Sequence, residues 1–256
     1  MDRGTPIRAL AMQLLRLTST EGVMLPELRG AVRMTTETFD SIVDALRDEG
    51  LVDVSNGTVT LSLQQRLSLA ARALETGADF ESVSRCLGWL EFEELSATVF
   101  EANGFSVRRR FRFQAEGRRW EIDILASRAP YLVCGECKHY GRGMGNSTAR
   151  GIVEGHLAKV EVLSHSLQNI RERMGIGKWT GATVIPMMLT MSATPLEVYR
   201  RVPAVSVLAL PGFLGEFDGQ LDRLAHFRVE LPPPQKKLKQ MKLRERPSGS
   251  RPSRRL

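Results

Sequence analysis

Residues 120–140, WEIDILASRAPYLVCGECKHY, constrain the fold more than any other stretch. They read as two short apolar strands joined by a turn. The first carries one acid, Asp123, inside Ile122-Asp123-Ile124-Leu125. The second ends in Glu136-Cys137-Lys138. Strand side chains alternate faces, so Glu136 and Lys138 project to the same side. If the strands pair as a hairpin, Asp123 joins them there. Two carboxylates and an ammonium among apolar neighbours are costly unless something uses them. A hard divalent cation does: Mg2+ takes one or two carboxylates plus waters and substrate phosphates.

An acid on one strand, twelve intervening residues, then E-x-K on the next resembles the signature of the PD-(D/E)xK nucleases. More narrowly, it is similar to the Mrr and archaeal Holliday-junction-resolvase branch. The likeness takes in Phe92-Glu93-Glu94-Leu95, on a helix ending at Asn103-Gly104-Phe105, where that branch places a helical glutamate. It runs in general layout to about Leu224, and Ile122 stands where the family has its proline. The resemblance implies an α/β fold with a restriction-endonuclease-like mixed central sheet flanked by helices. It implies a metal-dependent DNA endonuclease that hydrolyses phosphodiester bonds, in Mrr-like restriction or in DNA repair and recombination. Asp123, Glu136 and the Cys137 backbone carbonyl would then hold Mg2+ or Mn2+. Lys138 would orient the attacking water or stabilise charge on the phosphate. Glu93 would serve a second metal or hold a water. Products would carry 5′-phosphate and 3′-hydroxyl ends, and a homodimer would supply one site per strand.

The rest of the chain divides around this centre. Residues 1–62 read as a winged helix. Ile7, Leu10, Ala11, Leu14 and Leu15 recur at helical spacing. Pro26 suits the first turn of a second helix. Thr35 or Thr36 caps a third, with Phe39, Ile42, Val43 and Leu46 inward and Gly50 as its stop. Asn56-Gly57 between alternating segments signals a hairpin. A third helix of this kind usually meets DNA, yet here it offers Glu37, Asp40, Asp44, Asp48 and Glu49 against Arg47. Residues 1–62 carry six Arg and nine acids. Phosphate contact needs the opposite sign, so docking of a protein partner is the rival reading.

Residues 63–77 read as a linker helix and residues 78–231 as the nuclease-like domain. A helix is expected over residues 80–102, and strand and loop over 107–119, rich in arginine. Arg108, Arg110, Arg112, Arg118 and Arg119, with neighbouring Arg109, can grip phosphates or mark a charged edge strand. A glycine-rich loop after Lys138 brings His139, Tyr140 and Arg142, of which His139 and Arg142 are candidate DNA contacts. A long helix follows over 148–173, with Gly151 and Gly155 spaced for close packing. His156 and His165 lie on different aspects of it and make a poor metal pair. Residues 182–190 and 205–210 read as buried strands, with Pro186 marking a bulge or edge. A short helix to Arg201 and a last helix over 211–224 complete the domain.

Cys134-x-x-Cys137 lacks further ligands for zinc, and on a strand its sulfurs face opposite ways. Cys86 reads as a small buried apolar residue. From Pro232 onward the composition cannot support a core, and residues 232–256 read as a disordered basic tail. Residues 235–256 hold nine Lys and Arg against one acid, Glu245, a net of +8. The whole chain carries +7, so the preceding 234 residues sum to −1. The tail would add salt-sensitive affinity for nucleic acid, and Gln235, Leu238 and Met241 match part of a clamp-binding pattern. No apolar run is long enough for a membrane span, and no secretion signal opens the chain, so a cytoplasmic protein is expected. The rivals to a nuclease are a catalytically silent DNA-associated adaptor and a winged-helix regulator.

Overall fold

The computed structural model describes residues 4–18, 21–138, 146–191 and 198–233. His139, Arg142 and the tail beyond residue 233 lie outside them.

The apolar stripe of the first segment makes α1 (Gly4–Leu17), which buries Leu10, Ala11, Leu14 and Leu15. A short strand, β1 (Val23–Met24), enters α2 (Leu25–Gly30), with Pro26 in its first turn. Thr35 caps α3 (Thr36–Asp48), its hydroxyl accepting the Thr38 N–H at 3.3 Å. Asn56 and Gly57 take φ of 50° and 74°, closing the hairpin of β2 (Asp53–Ser55) and β3 (Thr58–Thr60). β1 pairs back onto β3, so the small sheet has the order β1-β3-β2. A capping box between Ser62 and Gln65 starts α4 (Leu63–Glu75).

The single helix expected over residues 80–102 is two: α5 (Phe80–Ser84) and α6 (Trp89–Ala102). Gly88 makes the break. Its backbone is extended, and its N–H donates to the Glu91 carboxylate at 3.0 Å to open α6.

The central sheet follows. Antiparallel strands β4 (Ser106–Ala115), β5 (Arg118–Arg128) and β6 (Tyr131–Lys138) come first. Helix α7 (Asn146–Met174) crosses to β7 (Gly181–Thr190), parallel to β6. Then come β8 (Val198–Tyr199), β9 (Val202–Ser206), α8 (Leu210–Gln220), a 3-10 turn at Leu221–Arg223 and β10 (Phe227–Glu230). The sheet order is β4-β5-β6-β7-β9-β8, with β10 beside the start of β7. Pro186 sits inside β7 opposite Cys134. It is tolerated because β10 pairs with β7 only to Val184 and β9 takes over at Met188. On that side no neighbour pairs at residue 186, where proline has no N–H to give.

Helices cover both faces. One apolar cluster joins residues of α1, α3, α4, α6 and α8 to Ile124, Val133, Cys137, Ile185 and Leu189. A second packs Val160, Leu163 and Leu167 of α7 on Ile122, Leu125, Leu132 and Cys134. The protein is therefore mixed α/β, with helices on both sides of a mixed sheet.

Several local expectations are corrected. Gly151 and Gly155 do not serve close packing, because a Cβ on either meets nothing within 4 Å. Residues 198–199 are a strand, not the end of a helix, and Arg200 and Arg201 turn at positive φ. The strand expected over 205–210 is β9, which begins at Val202 and ends at Ser206. The helix expected as a plain linker carries a buried cation, Arg66. It pairs with Glu91 and donates to the carbonyls of Leu15 at 3.1 Å and Cys86 at 2.7 Å.

Candidate metal and phosphate site

β5 pairs with β6 only from Ile124 to Arg128. Beyond Ile124 the two strands part, while β6 continues alone beside β7 to Lys138. Asp123 stands at this fork. Its Oδ2 accepts the Cys137 backbone N–H at 2.8 Å, satisfying a donor that the departed strand no longer meets. The expected hairpin requires Asp123 to face Glu136, and at the fork the strand that carries Asp123 is irregular. Ile122 packs with the α7 layer and Ile124 with the opposite layer, although both are even-numbered. The alternation of β5 therefore inverts at Asp123.

The partner strand inverts opposite it. Val107 packs with the α6 layer, whereas Phe111 and Phe113 pack with α7. The β4–β5 register runs on both sides of Arg110 and Asp123 and omits that one pair. Arg110 has φ of 49°, uncommon for a residue with a Cβ. Bulged irregularities of this sort re-aim side chains. Arg110 is turned toward α6, where its Nε donates to Glu93 Oε2 at 2.8 Å.

Glu136 is the most heavily contacted member. Oε1 is 3.0 Å from Lys138 Nζ, and Oε2 is 2.6 Å from Lys159 Nζ on α7. His156, one turn earlier on α7, is buried and donates from Nε2 to the Cys134 carbonyl at 2.8 Å. Its Nδ1 lies 3.4 Å from Glu136 Oε2 without hydrogen-bond geometry. Burial alone would raise the Glu136 carboxyl, but contact with His156 and Lys159 outweighs it and holds Glu136 well below the ordinary carboxylate range. Asp123 goes the other way. Burial first, and the Glu136 charge second, push it up to about 6, against the opposing pull of the Cys137 N–H. Burial also raises the thiols of Cys134 and Cys137. They are free, buried and on opposite layers of the sheet, as the strand spacing requires.

Glu93 reaches the neighbourhood, since its charge acts on the Cys137 thiol. Its carboxylate is nonetheless committed to Arg110 and to the Trp89 indole N–H. Trp89 also lies under Lys138, whose Nζ is 5.6 Å from the ring centre. Among the described residues no three His, Cys, Asp or Glu side chains converge as ligands. The donor set is a carboxylate pair, Asp123 and Glu136. Two hard oxygen donors suit Mg2+ or Mn2+ in kind.

The arginines divide. Arg108, Arg109, Arg110 and Arg112 line one open hollow together with Arg173 from α7. Within it Arg109 pairs with Glu94 and Glu101, and Arg112 pairs with Glu121 at 2.5 Å. Arg118 stacks over Trp120, its guanidinium 3.2 Å from the ring centre. Arg118 and Arg119 begin β5 beyond the hairpin turn, at least four residues from Asp123. At about 3.3 Å per residue they are roughly 13–17 Å along the strand, so they flank the fork and do not enter it. Lys159 is a site residue that the sequence did not single out, and His156, which it named only as half of a poor metal pair, belongs beside it. Their signal was an i,i+3 pair beside the buried Val160 of α7.

No family model matches the sequence, and no curated protein matches it. Among solved structures, VC1899 from Vibrio cholerae is similar at 12% identity and a TM-score of 0.36. The match covers 87% of this chain and 57% of that one. AF1548, a protein of unknown function, is similar at 18% identity and a TM-score of 0.33, over 50% of this chain and 66% of that one. The chain thus spans less than two thirds of either. At these scores the likenesses carry no functional argument.

Proposed function

We propose that the chain is a metal-dependent DNA endonuclease of the PD-(D/E)xK kind, akin to the Mrr and Holliday-junction-resolvase branch. One observation carries the reading: Asp123 and the Glu136/Lys138 pair share one strand fork, where Asp123 takes the Cys137 N–H. A regular hairpin has no use for a half-buried acid at that place. Asp123 and Glu136 would hold Mg2+ or Mn2+, with the Cys137 backbone carbonyl as a further oxygen. When bound, the metal would supply Lewis-acid polarisation of the phosphate and a more acidic water. Lys138 would neutralise charge developing on the scissile phosphate. Glu93, held by Arg110, would shape the rim. Arg108, Arg110, Arg112, Arg118 and Arg119 would grip flanking phosphates, together with His139 and Arg142.

The winged-helix reading of residues 1–62 is supported by the order of α1, β1, α2, α3 and the β2–β3 hairpin. Its acidic α3 suits a protein partner better than DNA. Arg47 on α3 is already paired with Asp44 at 2.9 Å. The remaining divisions, a linker helix over 63–77, a nuclease-like domain over 78–231 and a basic tail over 232–256, complete the proposal. A homodimer would place one site on each strand. Among the described residues no helix is long and apolar enough to cross a membrane. A silent DNA-associated adaptor is the second reading, favoured by the full engagement of Glu136 and Glu93 by basic groups.

The test is cleavage of branched, modified and plain DNAs with Mg2+ or Mn2+. Wild type is expected to cut. Asp123→Ala and Lys138→Ala are expected to lose roughly 100-fold or more, on the order of a missing transition-state contact. A folded wild type that binds DNA but cuts nothing would favour the adaptor.

A further inference from the structure

We propose that Lys159 keeps the metal site shut until a nucleic-acid phosphate draws its ammonium away, so that divalent-cation binding and DNA binding are coupled. The coupling rests on the nuclease reading and concerns the regulation of that same site. Both oxygens of Glu136 are occupied, Oε1 by Lys138 at 3.0 Å and Oε2 by Lys159 at 2.6 Å. With an ammonium already against each oxygen, a dication at Glu136 meets like charge at close range until one ammonium leaves.

The local charges point the same way. Arg110 offsets Glu93, and two ammonium groups stand against Asp123 and Glu136. The cluster is near neutrality before any cation arrives. Adding a dication leaves an excess of about two positive charges in a half-buried site, which is unfavourable at low effective dielectric. A phosphodiester supplies the missing negative charge and an acceptor for an ammonium.

Lys159 is the mobile member of the pair. Lys138 belongs to β6 beside β7 and is flanked by the Trp89 ring. Lys159 reaches Glu136 from a separate element, α7, on a flexible four-carbon stem. Exposure is similar for the two, 19% for Lys159 and 23% for Lys138, so what sets Lys159 apart is its reach from a separate element. When it leaves, His156 stays 3.4 Å from Oε2, pinned by the Cys134 carbonyl. Coupling of this kind is reciprocal: DNA tightens the cation, and the cation tightens DNA by the same factor.

The experiment measures Mn2+ binding to the full chain by the EPR signal of free Mn2+, with and without a short DNA duplex, after subtraction of the duplex alone. Wild type is expected to bind Mn2+ about tenfold or more tightly when DNA is present, within the usual span of coupling between sites. Lys159→Met is expected to reach that affinity without DNA and to gain nothing from DNA. Lys159→Arg, which keeps the charge, is expected to resemble wild type. Lys159→Gln repeats the test should the methionine variant fail to fold. Unchanged Mn2+ affinity in both Lys159→Met and Lys159→Gln, with binding abolished by Asp123→Ala, would overturn the role of Lys159 and leave the metal site standing. Mn2+ binding that Asp123→Ala does not alter would overturn the site itself, and the coupling with it.

Discussion

Asp123 is held where ionisation is unfavourable, with its acidity set by burial and by the Glu136 charge. Its folded value is about 6, against an ordinary 3.8. The folded chain therefore binds this proton more tightly than the unfolded chain. Hence this group favours the fold below about pH 4, and its contribution is lost as pH rises through about 6. Asp123→Asn keeps an oxygen for the Cys137 N–H and removes the charge. It is expected to be about 2–3 kcal/mol more stable than wild type at pH 8, because each pH unit between the folded and ordinary values is worth about 1.4 kcal/mol. The difference should vanish near pH 4. Urea melts at the two pH values check this, and equal stability at pH 8 would sink it. At this scale the site was partly legible. Asp123, Glu136 and Lys138 were visible as polar residues in apolar strands. His156 and Lys159 were not, because their meeting with Glu136 depends on where the crossover helix lands. No local period encodes that.

Between strands, the same limit takes another form. A period of two predicts faces only while the backbone stays regular. The run VRRRFRF reads as one alternating strand, yet the left-handed turn at Arg110 moves Phe111 and Phe113 to the α7 layer. Asp123 makes the matching inversion on β5. The elements themselves were legible where local chemistry decides them: the Thr35 cap, the Asn56-Gly57 turn and the apolar β7. Those set by pairing partners, β1 and β10, were not. Nor was the place where β5 leaves β6. Gly135 is the last residue before that fork. A Cβ there would lie 2.9 Å from Leu189 Cδ1 and 3.2 Å from Ile124 Cβ. Three strands are thus drawn together by the missing side chain. Gly135→Ala is expected to cost about 1–3 kcal/mol through overpacking, read as a lowered urea midpoint with an unchanged slope. A neutral result would mean that Leu189 swings aside freely and that the close approach is incidental.

Across the whole molecule, the N-terminal helices and the sheet share one apolar cluster running from α1 to α8. The boundary expected near residues 62–78 is a seam within that core. Arg66 crosses it: from α4 it reaches α1, the turn at Cys86, and Glu91 of α6, the helix that also carries Glu93. Its side chain is 5% exposed and that of Glu91 9%. A buried pair of this sort adds little over an apolar replacement of both partners, but loss of one partner leaves an uncompensated charge. Arg66→Met is therefore expected to cost about 3–5 kcal/mol. The double variant Arg66→Met/Glu91→Leu should recover most of that. A deficit of about 1 kcal/mol should remain, because Glu91 also receives the Gly88 N–H at the start of α6. Both variants should still melt in one transition when followed by Trp fluorescence and by circular dichroism, since the shared core couples the two sides. Two separated transitions in the wild type would show that the seam is a true boundary. A double variant no better than the single one would show that Arg66 acts through its carbonyl contacts and not through the charge of Glu91.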